Sequence, residues 1–392
     1  MYSVINQIQI DKKKVFIRVD YNVPLADGKI ADDRRIAESL PTIEHALSRE
    51  AKIILGSHLG RPKGVSNPGF SLLPVAEHLS DLLGRDVIFP EDCVGDAVKK
   101  LAGDLREGEI MLLENLRFHP EEEKNDPHFS KQLAQLAEVY IDDAFGVMHR
   151  AHASTAGMVS HFKEKGIGFL VKKEIEYLQG LLSKPAHPFL AIFGGAKVSD
   201  KIGVIENLMN HVDVFIIGGG MAYTFLKARG VDIGQSIVDE AKIHQAEKIL
   251  KRAEIKGVQV LLPVDSVLAS DILAGVKSRV ANNGEKWDGL KALDIGPQTI
   301  AGFAAKIRQA KTILWNGPMG VFEVPDFEKG TFEIARAVGE SGACAVVGGG
   351  DSVLAIRRSG IADKMAHLST GGGAMMEFLE GKTLPGLKVL EA

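Results

Sequence analysis

Short apolar runs rich in β-branched residues recur along the chain, each separated from the next by a longer amphipathic stretch. The first half offers Val15–Val19, Lys52–Leu55, Glu109–Leu113 and Val139–Ile141. The second half offers Phe189–Phe193, Val214–Ile217, Gln259–Leu262, Thr312–Trp315 and Cys344–Val347. Between them lie helix-like patterns such as Arg34–Arg49, Phe129–Ala137 and Glu240–Ala253. A strand followed by a helix returns the chain in the same direction, so this alternation predicts βαβ units and parallel sheets. A length of 392 residues exceeds one ordinary core and fits two such domains. The expected fold is α/β, with two doubly wound parallel-sheet (Rossmann-like) domains joined by a hinge helix.

The best boundary lies at 169–182. Phe169, Leu170, Val171, Ile175, Leu178, Leu181 and Leu182 fall at helix spacing, and Pro185 and Pro188 follow. Residues 1–168 then form the N-terminal domain and 183–368 the C-terminal one.

In open parallel sheets, ligands bind outside the carboxyl ends of the strands. In the first half those ends gather cations. Asp20 and Asn22 follow the first run, and Arg34 and Arg35 open the next helix. His58 and Arg61 follow the second run, Arg117 and His119 the third, and His149, Arg150 and His152 the fourth. Guanidinium forks match phosphate and carboxylate, so the set predicts a site for a small, highly anionic ligand. Each arginine alone reads better as a solvated loop residue. The four histidines lack a zinc spacing, and phosphate donation or structural hydrogen bonding is expected of them.

In the second half the strand ends gather glycine. The turns are Gly194-Gly195 with Lys197 and Lys201, Gly218–Gly220, Gly317 with Gly320 and Glu323, Gly348–Gly350 with Asp351 and Ser352, and Gly371–Gly373. Glycine lets backbone N–H groups approach a phosphate closely, lysines add point charges, and Asp351 is a candidate magnesium carboxylate. The pattern predicts a nucleotide site, although any one of these turns could be a plain βα connection. Two familiar nucleotide motifs are absent. Met376 stands where a P-loop before Gly381-Lys382-Thr383 needs glycine, and Tyr223 stands where the dinucleotide fingerprint needs its third glycine. The second absence counts against a two-domain NAD-dependent dehydrogenase. Asp351 and the two lysines count against a passive anion-binding module.

The net charge of −4 and 6% aromatic content argue against a nucleic-acid partner. Cys93 and Cys344 form no disulfide or zinc pattern. Met1–Ile10 lacks the apolar core of a signal peptide, and Val214–Leu226 is broken by glycines and too short for a bilayer. A soluble, cytoplasmic monomer without membrane contact is expected.

Several segments together resemble the phosphoglycerate kinase family: Arg18-Val-Asp-Tyr-Asn-Val-Pro24, Ser57-His-Leu-Gly-Arg-Pro62, Glu114-Asn-Leu-Arg-Phe118, Asp143-Ala-Phe-Gly146, Gly194-Gly-Ala-Lys-Val-Ser-Asp-Lys201, Trp315-Asn-Gly-Pro-Met-Gly-Val-Phe-Glu323 and Gly348-Gly-Gly-Asp-Ser352. The resemblance implies phosphoryl transfer between 1,3-bisphosphoglycerate and ADP, giving 3-phosphoglycerate and ATP. It implies a 3-phosphoglycerate site at Asp20, Asn22, Arg35, His58, Arg61, Arg117 and Arg150. It implies nucleotide contacts at Lys197, Lys201, Glu323, Gly349, Gly350, Asp351 and Ser352, with Mg2+ at Asp351. Arg35 and Lys201 would be catalytic, and 369–392 would return to the N-terminal domain. Val147 and Met148 depart from the family pattern, where Thr-Ala is expected.

Overall fold

A computed structural model describes residues 2–391. The chain divides into two compact units, Met1–Glu176 with Thr383–Ala392, and Tyr177–Lys382.

The first unit is built on a six-stranded sheet of Lys14–Arg18 (β1), Lys52–Gly56 (β2), Val87–Ile88 (β3), Ile110–Leu112 (β4), Val139–Asp142 (β5) and Glu164–Ile167 (β6), in the order β3-β4-β2-β1-β5-β6. Every pairing is parallel. Val15, Ile17, Ile53, Leu55, Met111 and Ile141 are all buried, as expected of strands covered on both faces. The chain winds outward from β1 through β2, then recrosses to place β5 on β1's other side. The topological switch point therefore lies between β1 and β5, where Arg18 is level with Asp142. The expected helix Arg34–Arg49 is two helices, Arg34–Ala37 and Leu40–Ser48, the second with proline in its first turn.

The second unit repeats the plan. Its parallel sheet comprises Phe189–Phe193 (β7), Val214–Ile217 (β8), Gln259–Leu261 (β9), Thr312–Asn316 (β13), Cys344–Gly348 (β14) and His367–Leu368 (β15), in the order β9-β8-β7-β13-β14-β15. Its switch point lies between β7 and β13. The second unit also holds a three-stranded antiparallel sheet of Asp265–Ala269 (β10), Ser278–Asn282 (β11) and Lys291–Ile295 (β12). The doubly wound expectation did not contain this sheet: β11 is half exposed and polar, so it carries no buried-strand signature.

The helix Phe169–Ser183 covers the expected interdomain segment, and the division falls within it, after Glu176. The return to the first unit comes at Thr383 and not at 369. Residues before Thr383 stay with the second unit because the helix Gly372–Leu379 packs on Ile202–Leu208, where Asn207 Nδ2 donates to the Leu379 carbonyl at 2.7 Å. No helix among the described residues is long and apolar enough to cross a membrane.

Candidate functional site

At the first switch point the strand ends bring the expected cations together. Arg35 Nη1 lies 3.0 Å from Asp20 Oδ2 and donates to the Asn22 carbonyl at 3.1 Å. Asn22 Oδ1 accepts from Gly60 N at 2.8 Å, and Arg117 Nη1 donates to the Gly60 carbonyl at 2.9 Å. Gly60 thus ties the loops after β1, β2 and β4. Arg150 Nε donates to His149 Nε2 at 3.2 Å. His58 is buried, with Nδ1 3.9 Å from Asp20 Oδ1 and 3.4 Å from Arg18 Nη2.

The electrostatics are those of a positive pocket. Burial, then the charges of Arg18, Arg117, Arg35 and Arg150, hold His58 well below the ordinary histidine range. Burial and Arg117, Arg18 and Arg150 push His152 down to about 3. Both imidazoles are therefore neutral at pH 7. Burial also lowers Arg117 to about 10. That guanidinium is 3% exposed; its Nε lies 3.4 Å from Glu123 Oε1, while its Nη2 has no hydrogen-bond partner among the described residues. A buried cationic donor without a partner is costly unless an anion completes it.

Asp20, Asn22, Arg35, His58, Arg117 and Arg150 are thus assembled. Arg61 is exposed on the same loop as Gly60, without a side-chain hydrogen bond among the described residues. Arg18 reads in the sequence as a strand residue, and the expected site does not include it. Its position at the last register of β1 brings it against His58. Val147 and Met148 are buried, and the Met148 carbonyl accepts from Gly386 N at 2.9 Å. The departure from the family pattern is therefore packed against the C-terminal segment.

His119 Nε2 is hydrogen-bonded to Asp92 Oδ1 at 2.6 Å, and the two form with Cys93 a group whose ligand atoms lie within 4.8 Å of one another. The pairing of His119 with Asp92 is the structural hydrogen bond expected of this histidine.

At the second switch point three glycine turns interlock. Gly195 N donates to the Pro318 carbonyl at 2.9 Å, Gly219 N to that of Met319 at 3.0 Å, and Met221 N to that of Gly195 at 2.9 Å. Beside them opens a cavity of about 310 Å³, lined by Gly219, Gly220, Tyr223, Ile237, Leu293 and Val321, with Glu323 and Asp351 among its polar members. Its size and mixed lining suit a flat heterocycle with polar substituents. Lys201 is half-buried, and desolvation lowers its ammonium below the ordinary range against the pull of Asp200 and Asp351.

Gly349 has φ +92° and caps the helix Gly350–Arg358, with Asp351 exposed in its first turn. The amino end of that helix favours anions. One carboxylate beside a helix end that favours anions fits Mg2+, which takes one or two carboxylates, substrate phosphates and water.

Lys197 is exposed and makes no side-chain hydrogen bond among the described residues. Ser352 Oγ is buried and accepts from Gly317 N at 2.6 Å, so its hydroxyl joins the turns after β13 and β14. The apolar walls Tyr223, Ile237 and Leu293 were not anticipated. Leu293 comes from the antiparallel sheet, and none of the three sits in a glycine turn. Gly219 and Gly220 belong to the Gly218–Gly220 turn that the glycine pattern already places in the nucleotide site, although the resemblance did not name them as contacts.

The comparisons agree with this geometry. A family model described as phosphoglycerate kinase matches residues 5–382. The phosphoglycerate kinase of Anaeromyxobacter dehalogenans (strain 2CP-C) is 55% identical over 390 residues, spanning 99% of this chain and 98% of the relative. That of Koribacter versatilis (strain Ellin345) is 54% identical over 395 residues, spanning 98% of each. Among solved structures, phosphoglycerate kinase from Coxiella burnetii aligns with a TM-score of 0.89 at 40% identity, covering 100% of this chain and 99% of that one. The enzyme from Pyrococcus horikoshii OT3 aligns at 0.86 with 32% identity, covering 100% and 98%. With two parallel-sheet units and relatives matched end to end, the chain belongs to the phosphoglycerate kinase family.

Proposed function

We propose that this chain catalyses the reversible phosphoryl transfer from 1,3-bisphosphoglycerate to ADP, giving 3-phosphoglycerate and ATP, as a cytoplasmic glycolytic monomer. The observation that carries the reading is the buried Arg117 guanidinium with its unpartnered Nη2, set among Arg18, Arg35 and Arg150. A ligand with several negative charges satisfies that cluster, and a phosphorylated hydroxy acid has them.

Asp20, Asn22, Arg35, His58, Arg61, Arg117 and Arg150 bind the phosphoglycerate. The base occupies the apolar cavity, with Glu323 at its polar edge. Lys197, Lys201 and the N–H groups from Gly349 to Ser352 take the phosphates. Mg2+ held by Asp351 would neutralise charge on the nucleotide phosphates when bound.

In the direction of ATP use the nucleophile is a carboxylate, with an ordinary pKa of roughly 3–4. It is ionised at neutral pH, so no general base is required. The chain's work is then to align two anions and offset their charge. Arg35 serves from the acceptor side and Lys201 from the nucleotide side, where charge develops on the transferring group. Reacting atoms must approach to about 3–3.5 Å. The two ligand sets belong to different units, so the reading requires closure about the helix Phe169–Ser183.

The test is ADP release from ATP and Mg2+ with and without 3-phosphoglycerate. Release that depends on 3-phosphoglycerate supports the reading. ATP turnover indifferent to it contradicts the reading.

A further inference from the structure

Arg18 is fully buried at the carboxyl end of β1. Its Nη1 donates to the Val19 carbonyl, its Nη2 lies 3.4 Å from His58 Nδ1, and its Nε donates to Ser154 Oγ at 2.7 Å. Ser154 Oγ in turn donates to Glu122 Oε1 at 2.5 Å, and Ser154 N donates to Glu122 Oε2 at 2.9 Å. Glu122, in the short helix Pro120–Glu123, is also fully buried.

The polarity of this chain is fixed by chemistry. Arginine has donors only, and an ionised carboxylate has acceptors only. The Ser154 hydroxyl hydrogen must therefore point at Glu122, which aims an oxygen lone pair at Arg18 Nε. Both Glu122 oxygens are committed to Ser154. The other groups around them are His152, whose Nδ1 is 3.9 Å from Oε1, Arg117, and Tyr140, whose hydroxyl donates to the Ser154 carbonyl at 2.8 Å.

We propose that Glu122 is a positioning residue of the phosphoglycerate site: through Ser154 it fixes the plane of the Arg18 guanidinium against His58. The inference rests on the reading above, that this cluster binds phosphoglycerate. Glu122 touches no ligand itself. Without its acceptor the Ser154 hydroxyl could rotate away from Arg18 Nε, leaving the guanidinium held by its Nη1 contacts to the Val19 and Gly56 carbonyls, which do not fix its plane against His58.

Glu122→Gln decides by sign. A carboxamide cannot accept both Ser154 bonds in the same geometry, so positioning predicts that KM for 3-phosphoglycerate rises about tenfold, as for one lost charge-assisted hydrogen bond. If Glu122 were only a negative charge in the field, its removal would make the pocket more positive and lower that KM. If Glu122 were only structural, the melting temperature would fall with KM unchanged. KM for ATP should not move. Ser154→Ala, which keeps the Glu122 charge, should raise KM in the same direction, and the double variant should add little more.

An unchanged or lowered KM in Glu122→Gln, or additive effects in the double variant, overturns the proposal. Should Glu122→Gln not fold, Ser154→Ala decides on KM alone. Wild-type protein that binds no 3-phosphoglycerate at all refutes the functional reading rather than this relay.

Discussion

Gly317 lies so close to Gly194 that a Cβ on Gly317 would stand 2.2 Å from the Gly194 carbonyl oxygen, with Gly317 at φ +99°. The contact joins the two turns that flank the second unit's switch point. Neither the backbone angle nor the space tolerates a side chain.

Gly317→Ala should therefore destabilise the second unit by more than about 2 kcal/mol, adding left-handed strain to a backbone clash. Nucleotide affinity should fall with it, while 3-phosphoglycerate affinity is retained. Denaturant unfolding and calorimetry with each ligand check this. A variant as stable as wild type would show that the turns can separate at little cost.

Arg35 has its guanidinium on Asp20 and on the Asn22 carbonyl, within the first unit's cluster of cations. Arg35→Ala should leave the circular dichroism spectrum intact and reduce kcat by about two to three orders of magnitude, the cost of one electrostatic donor to a transition state. Near-normal kcat in folded protein would remove Arg35 from the mechanism.

Asp351 stands exposed at the amino end of its helix and lines the cavity beside the glycine turns. Asp351→Ala should weaken Mg-nucleotide binding and spare 3-phosphoglycerate binding. Equal loss of both in titration calorimetry would make Asp351 a structural residue.

Asp143 anchors the start of the helix Phe169–Ser183, its Oδ1 accepting from Val171 N at 3.2 Å. Burial pushes its carboxyl up to about 7, against the hydrogen bonds that favour the anion. An unfolded aspartate titrates near about 3.9. Between those values the folded chain binds more protons than the unfolded one. This group's cost to stability therefore grows as pH rises from about 4 to about 7, and is full above that. Asp143→Asn escapes that cost. Relative to wild type, its stability should improve from pH 5 to pH 8, by at most about 1.4 kcal/mol per pH unit within that window. A stability difference that stays flat over this range would show that the carboxyl titrates normally.

The parallel sheets were legible because their central strands are buried on both faces and read as continuous apolar runs. Phe189–Phe193 and Val214–Ile217 stand where the sequence put them. The edge strands Val87–Ile88 and His367–Leu368 are too short to make a pattern, and the antiparallel β11 leaves three of its five residues exposed, with only Ala281 buried. Within the sites, charge and glycine at strand ends were legible because the doubly wound fold puts every such end on one edge. The apolar walls were not. Ile237 and Leu293 become neighbours of the glycine turns only through tertiary packing, and the sequence marks neither as different from a core residue. Glu122 is the sharper case. Within Glu121–Glu123 it reads as one more solvated acid, yet it is the member of that run turned fully inward, onto Ser154.

With a carboxyl group as acceptor of the nucleotide's terminal phosphoryl group, the product is an acyl phosphate. Hydroxylamine traps acyl phosphates as hydroxamates. Incubation of the protein with ATP, Mg2+, 3-phosphoglycerate and hydroxylamine should yield hydroxamate and ADP in equal amounts, with neither formed when 3-phosphoglycerate is left out. ADP accumulating without hydroxamate would mean transfer to water or to a hydroxyl, and would contradict the account.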